Sequence, residues 1–268
     1  MLRNPARLIL LLVLFLCLAT VRAVASSGGR NSSKPACQGD ITEACGAMEQ
    51  DPGHTYYLAA CAVFRDEDRF LREWLSFHIC AGIEHFFLYA DRPFDDCYRE
   101  ILQPFIDAGL VTLDKAVPVR DPQIPTYDSC LANHRHASRW LAFIDIDEFL
   151  HTVNESLLLP DVFKEYHAFG GVVIPWTLLG SSEHLTAPKG LVIENYLFRR
   201  SFPECNGDTC AYKVVVQGEH TERCDVHNHY YKDGICMYVC ICMYVCMDVW
   251  MYGCMYVFMY VCIYYTHM

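Results

Sequence analysis

The sequence predicts an α/β fold, a mostly parallel sheet flanked by helices. Three observations carry this. Strand-like and helix-like runs alternate from Tyr56 to Leu150. Glycines stop two of the helical runs, at Gly82 and Gly109. Acids gather where the strand-like runs end, at Asp66, Asp91, Asp145 and Asp147. Alternating elements of this kind build a parallel sheet covered by helices, and such sheets bind ligands beyond the carboxyl ends of their strands.

Each element has a local reason. Tyr56–Phe64 (YYLAACAVF) is an unbroken run of β-formers and apolar residues, as a strand buried on both faces requires. Glu67–Gly82 reads as an amphipathic helix, with Phe70, Leu71, Trp74, Leu75 and His78 at helical spacing. His85–Asp91 is a second strand, Asp96–Gly109 a second helix and Leu110–Ala116 a third strand. Tyr127–Arg139 reads as a helix and Trp140–Leu150 (WLAFIDIDEFL) as the fourth strand.

That fourth run poses a chemical problem. Ionised carboxylates are costly to bury unless paired, hydrogen-bonded or bound to a cation. On a continuing strand Asp145 and Asp147, two residues apart, share one face, and Glu148 takes the other. Two hard oxygens at a strand end suit Mn²⁺ or Mg²⁺, which take few protein carboxylates and several phosphate oxygens. The plainer alternative is a solvated strand end with incidental acids. His134 and His136 read as surface or helix-end groups. His227 and His229, again two apart, share a face or sit in a polar turn.

The rest of the chain sets the context. Residues 1–25 combine a basic flank, an apolar run and an Ala-Val-Ala cleavage pattern, and read as a signal peptide, with a signal anchor as the alternative. Residues 26–53 are rich in Ser, Gly and Pro and read as a luminal stem. Sixteen cysteines then suggest disulfide chemistry, with a Cys205–Cys210 bridge closing a turn. Cys61, Cys80 and Cys130 read equally well as small buried residues. A net charge of −11 argues against nucleic-acid partners. The main domain is expected over 54–234. Residues 235–268 are built on Met-Tyr-Val-Cys, a unit that translates a tetranucleotide repeat, and read as a translated microsatellite. That tail is expected to have no defined fold and to promote aggregation, so that a chain cut at Gly234 is more soluble.

Several motifs, in order, resemble glycosyltransferase family 92. Glu73-Trp74, His78, Gly82-Ile83 and His85-Phe86 match its entry block. Gln123, Cys130 and Trp140–Phe149 are similar to its glutamine, cysteine and D-x-D-E segment. Pro175–His184, Pro188–Arg200, Ala211–Val215 and Val226–Tyr231 resemble its later blocks. The resemblance implies a GT-A-like, nucleotide-sugar-binding fold. It implies a metal-dependent, inverting transferase that moves a sugar, galactose by analogy, from a UDP-sugar to a glycan or glycoprotein. It implies Mn²⁺ or Mg²⁺ as cofactor, Golgi or secreted localisation, and an N-terminal membrane anchor as one way of holding the enzyme there.

Carried over residue by residue, Asp145, Asp147 and His227 would hold the metal. Arg65, Asp66 and Asp91 would line the uridine and ribose, and Asp145 the sugar-nucleotide. Lys213 would face the diphosphate. Glu183 and Glu194 are the candidate bases for the acceptor hydroxyl, and Glu148 reads as structural. Glu183 stands where the family pattern leads us to expect glycine, and the repeat tail takes the place of the family's closing block. Two other readings stay open: a non-catalytic binding domain that keeps only the fold, and a haloacid-dehalogenase-like phosphatase, whose D-x-D differs in having Thr or Val where Phe149 stands.

Overall fold

In a computed structural model of the chain, the residues described are 52–91, 96–152, 157–198, 212–226 and 229–232, with the backbones of 239–240 and 259–264. The signal segment, the stem up to residue 51, Cys205, Cys210 and His227 lie outside them. The first half runs β1 (Tyr56–Phe64), α1 (Asp68–Ala81), β2 (His85–Ala90), α2 (Asp96–Asp107), β3 (Val111–Lys115), α3 (Gln123–His134) and β4 (Ser138–Phe143). The second half runs β5 (Glu148–Thr152), α4 (Leu159–Phe163), β6 (Gly171–Leu179), α5 (Val192–Asn195), β7 (Tyr212–Val216), β8 (Thr221–Arg223), β9 (Tyr230–Tyr231), β10 (Val239–Cys240) and β11 (Met259–Tyr264).

The expected α/β class is what forms. The main sheet runs β3-β2-β1-β4-β7-β6-β11-β5, with β10 beside β6. Strands β3, β2, β1 and β4 are parallel, and β7 is inserted antiparallel between β4 and β6. Residues Leu58–Ala62 of β1 are fully buried, as the unbroken apolar run requires. Alternate residues feed two cores. Leu58, Ala60, Ala62 and Phe64 pack with Trp74 and Leu75 of α1, and Ala59 and Cys61 pack with Tyr127, Cys130 and Leu131 of α3. Gly82 ends α1 at φ 101°, and its N–H bonds back to the His78 and Ile79 carbonyls. A Cβ there would also lie 2.7 Å from Pro160.

Three expectations change. The third helix begins at Gln123, four residues earlier than expected, and ends at His134, five residues earlier. Pro125 is tolerated because it falls in the first turn, where no N–H partner is needed. At the other end, pairing of Tyr56 with Ser138 recruits Ser138 and Arg139 into β4. The run Trp140–Leu150 is not one strand: β4 stops at Phe143, and β5 starts at Glu148 in a different part of the sheet. Asp145 and Asp147 therefore occupy a connecting loop, and the shared-face argument for them does not apply. Finally, the tail is not wholly without structure. Met259–Tyr264 forms β11, antiparallel to β5 and parallel to β6, and Val239–Cys240 also pairs with β6. Strings rich in Tyr, Val, Ile and Cys are strong β-formers, and β5 and β6 offer them unpaired edges.

Cys61 and Cys130 are joined by a disulfide with Cα atoms 6.6 Å apart, whereas Cys224 is a buried free thiol. The bridge ties β1 to α3, and such bonds are at home in an oxidising compartment. Among the described residues no helix is long and apolar enough to cross a membrane. Replacing Cys130 by Ser should cost about 2–4 kcal/mol in urea unfolding, typical of a lost native disulfide. Adding reductant should bring the wild type down to the variant.

Candidate active site

The acids at the carboxyl edge of the sheet are gathered, but by different means from those the sequence suggested. Asp145 and Asp147 lie in the loop Ile144–Asp147, both half-buried. The loop closes on itself: the Asp145 N–H donates to Glu148 Oε2 (2.9 Å) and the Glu148 N–H donates to the Asp145 carbonyl (3.1 Å). The Asp145 side chain is then held from two sides. Gln123 Nε2 (2.9 Å) and the Tyr127 hydroxyl (2.8 Å) both donate to Oδ1. These two residues are four apart on α3, so one helix face presents both donors. From the other side Lys213 Nζ lies 2.8 Å from Asp145 Oδ2 and 3.3 Å from Glu148 Oε2.

Lys213 is buried, with its side chain 1% exposed, and stands in β7 opposite Ile174. Burial alone would depress its ammonium, but Glu148 and Asp145 outweigh burial and its pKa is raised. Glu148, also buried, is pushed up to about 8, first by burial and then by Asp145, against the pull of Lys213. One positive charge serves two carboxylates, of which Asp145 is the nearer. Glu148 thus has the structural place expected of it.

A second group of acids lines the ends of β1 and β2. Arg65 forms an ion pair with Asp91, and the Asp91 N–H donates to the Phe64 carbonyl (2.9 Å). Asp66 takes a left-handed φ of 61°, which turns the chain sharply from β1 into α1. Glu67 follows, half-buried. Burial, then Asp147, Asp145 and Asp66, push it up to about 7, while the Arg65 N–H bonded to its Oε2 (3.2 Å) pulls the other way. Glu67 went unremarked as a site residue because it reads as an ordinary first-turn acid. Only the fold brings it toward the D-x-D loop. Among the described residues, no three His, Cys, Asp or Glu groups are placed to hold a metal ion by themselves.

The E-W-x-x-x-H stretch proves to be framework. Glu73 is buried in α1 and accepts the N–H groups of Val192 (2.8 Å) and Ile193 (3.0 Å), the open first turn of α5. Trp74 Nε1 donates to the Glu148 carbonyl (2.8 Å). The Leu150 N–H donates to His78 Nε2 (3.0 Å), so His78 Nδ1 carries the hydrogen bonded to the Trp74 carbonyl (2.9 Å). Burial, countered in part by the Trp74 carbonyl, lowers His78 to about 3, and it is neutral. One helix thus fixes the start of β5, and with it the end of the D-x-D loop.

Glu183 and Glu194 are both exposed, on the segment that follows β6. Ser182 and Glu183 have φ of 52° and 69°, and the His184 N–H returns to the Ser181 carbonyl (3.0 Å). Two consecutive left-handed residues make this a tight turn of the kind that favours glycine. Ser182 Oγ anchors it by accepting the Leu197 (2.7 Å) and Phe198 (2.9 Å) N–H groups. Elsewhere the histidines behave as expected: His134 ends α3 stacked on Phe87, and exposed His136 bonds Glu219 (3.0 Å). His229 is buried against Phe143, with ring centroids 4.8 Å apart.

With this geometry established, comparison with known proteins is informative. Residues 54–232 match glycosyltransferase family 92. A family 92 protein of Oryza sativa subsp. japonica is 30% identical over 150 residues, 55% of this chain and 25% of its own length. A family 92 protein of Ricinus communis is 28% identical over 187 residues, 66% of this chain and 32% of its own. A galactan beta-1,4-galactosyltransferase of Arabidopsis thaliana is 31% identical over 112 residues, 37% of this chain and 22% of its own. The chain therefore spans about a third or less of the length of these relatives. Among solved structures, S. aureus TarS 1–349 has 14% identity and a TM-score of 0.35 over 52% of this chain and 43% of its own, too slight a likeness to inform the site.

The turn at Glu183 yields a direct test. A side chain in the left-handed region is strained by about 1–2 kcal/mol, part of which glycine returns as unfolded-state entropy. Glu183→Gly should stabilise the protein by about 0.5–1 kcal/mol in urea unfolding.

Proposed function

Because the chain belongs to glycosyltransferase family 92, we propose that it moves a hexose, galactose, from a UDP-sugar to a glycan or glycoprotein hydroxyl, with inversion and with Mn²⁺ or Mg²⁺. The observation that supports this reading is the gathering of Asp66, Glu67, Asp145 and Asp147 at the strand ends, where burial first, and then the charges of Asp147, Asp145 and Asp66, push Glu67 up to about 7. A divalent cation bound among these acids would offset their mutual repulsion. The donor set fits Mn²⁺ or Mg²⁺, which complete their shells with water and phosphate oxygens. The choice of galactose is supported by the Arabidopsis relatives named as galactan beta-1,4-galactosyltransferases.

In this reading Asp147, with Asp145 and His227, holds the cation. The Arg65–Asp91 pair and Asp66 border the uridine and ribose, as their places at the ends of β1 and β2 suit. The cation, when bound, offsets charge on the diphosphate and makes UDP a better leaving group. Glu183 and Glu194, both exposed on the segment after β6, are the candidates to take the acceptor proton. The Cys61–Cys130 bridge supports a place in the secretory pathway, for which we propose the Golgi. A family member that binds donor without transferring it is the competing reading, and a transfer assay with UDP-galactose separates the two.

Calorimetry tests the binding step. UDP should bind in Mn²⁺ and lose at least about tenfold in affinity, or about 1.4 kcal/mol, in EDTA and in Asp147→Ala. Equal affinity of the wild type in EDTA and in Mn²⁺ would rule out the metal.

A further inference from the structure

We propose that Lys213 is a positioning residue, an internal counter-ion that holds Asp145 and the D-x-D loop in place and does not itself touch the donor. The inference rests on the functional reading above, and it departs from the expectation that this lysine faces the diphosphate.

Three observations carry it. Lys213 is enclosed, with 1% of its side chain exposed, so its ammonium has no open path to a ligand. That ammonium is already committed to Asp145 Oδ2 and Glu148 Oε2, at 2.8 and 3.3 Å. The register explains how it gets there. Leu141 pairs with Val216 and Ala142 with Val215, so Lys213 stands alongside the point where β4 gives way to the loop at Ile144. The antiparallel strand β7 thus delivers a cation to the end of a parallel strand, where the acids need one.

The opposing contacts make this a device for orientation as well as charge balance. Gln123 and Tyr127 pull on Oδ1 from α3, and Lys213 pulls on Oδ2 from β7. A carboxylate gripped at both oxygens has one orientation. The disulfide at Cys130 fixes α3 to β1, so the grip is referred to the same strand whose end carries Arg65 and Asp66. Removing the ammonium would leave Glu148, which is 1% exposed, beside Asp145 with no cation between them. One of the two would then have to take up a proton, or the loop would have to move to bring charge to water.

The test is a double-mutant cycle on the full chain, read by UDP calorimetry in Mn²⁺ and by thermal melting. Lys213→Met should weaken UDP binding by about tenfold or more, and should lower the melting temperature. Adding Glu148→Gln removes the second carboxyl group and with it the competition for a proton. It should restore stability in part and bring UDP affinity back to within about threefold of wild type. Tyr127→Phe, which leaves no buried charge, should lose about threefold in UDP affinity with little change in melting. A double variant that regains stability but binds UDP no better than Lys213→Met would show direct contact with the donor and overturn the proposal. So would unchanged UDP affinity in Tyr127→Phe. If wild type does not bind UDP at all, the functional reading fails and the inference falls with it.

Discussion

The site depends on one buried ammonium shared by two carboxylates. Lys213 sits between Asp145 and Glu148, and each side of that triad is attached to a different part of the fold. Breaking a buried pair by removing one partner costs about 3–5 kcal/mol, because the remaining charge is left uncompensated. That is a sizeable share of a typical net stability of about 5–15 kcal/mol. The carboxyl edge of the sheet and the stability of the sheet itself are therefore linked through the same three side chains.

Around that triad the framework is mostly hydrogen-bonded backbone. Helix α1 uses Glu73 to hold α5, Trp74 to hold the Glu148 carbonyl and His78 to hold Leu150. These are buried polar groups with partners, which low dielectric makes strong when satisfied and costly when not. Helix α3 contributes two donors to Asp145 and is tied down by a disulfide. The ligand edge is thus braced on both faces of the sheet, while Glu183 and Glu194 remain exposed on the segment beyond β6.

Much of the first half of the fold was legible in the sequence because its signals are local. The apolar run at Tyr56–Phe64, the helical spacing before Gly82 and the glycine stops depend on residues close together in the chain. What was not legible came from partners far away. WLAFIDIDEFL has nothing in its own pattern to say that it breaks after Phe143; the break follows from β5 pairing elsewhere in the sheet. Gln123 and Tyr127 could have been found as a pair by reading the helix start at Pro122. Glu67 could not, since its crowding comes from a loop about eighty residues away. The tail was read for composition alone, and composition does not show that β5 and β6 have edges to offer. At Glu183 the φ of 69° is a backbone conformation that favours glycine, which nothing in the local composition signals.

The central claim is that an internal lysine, and not an open diphosphate contact, sets the geometry of the D-x-D loop. Crystals grown with UDP and Mn²⁺, measured at a wavelength where manganese scatters anomalously, test it most directly. The account predicts a manganese peak beside Asp147, with Asp145 still bonded to Lys213, Gln123 and Tyr127. Manganese and UDP bound away from this edge, or Lys213 turned out onto the diphosphate, would contradict it.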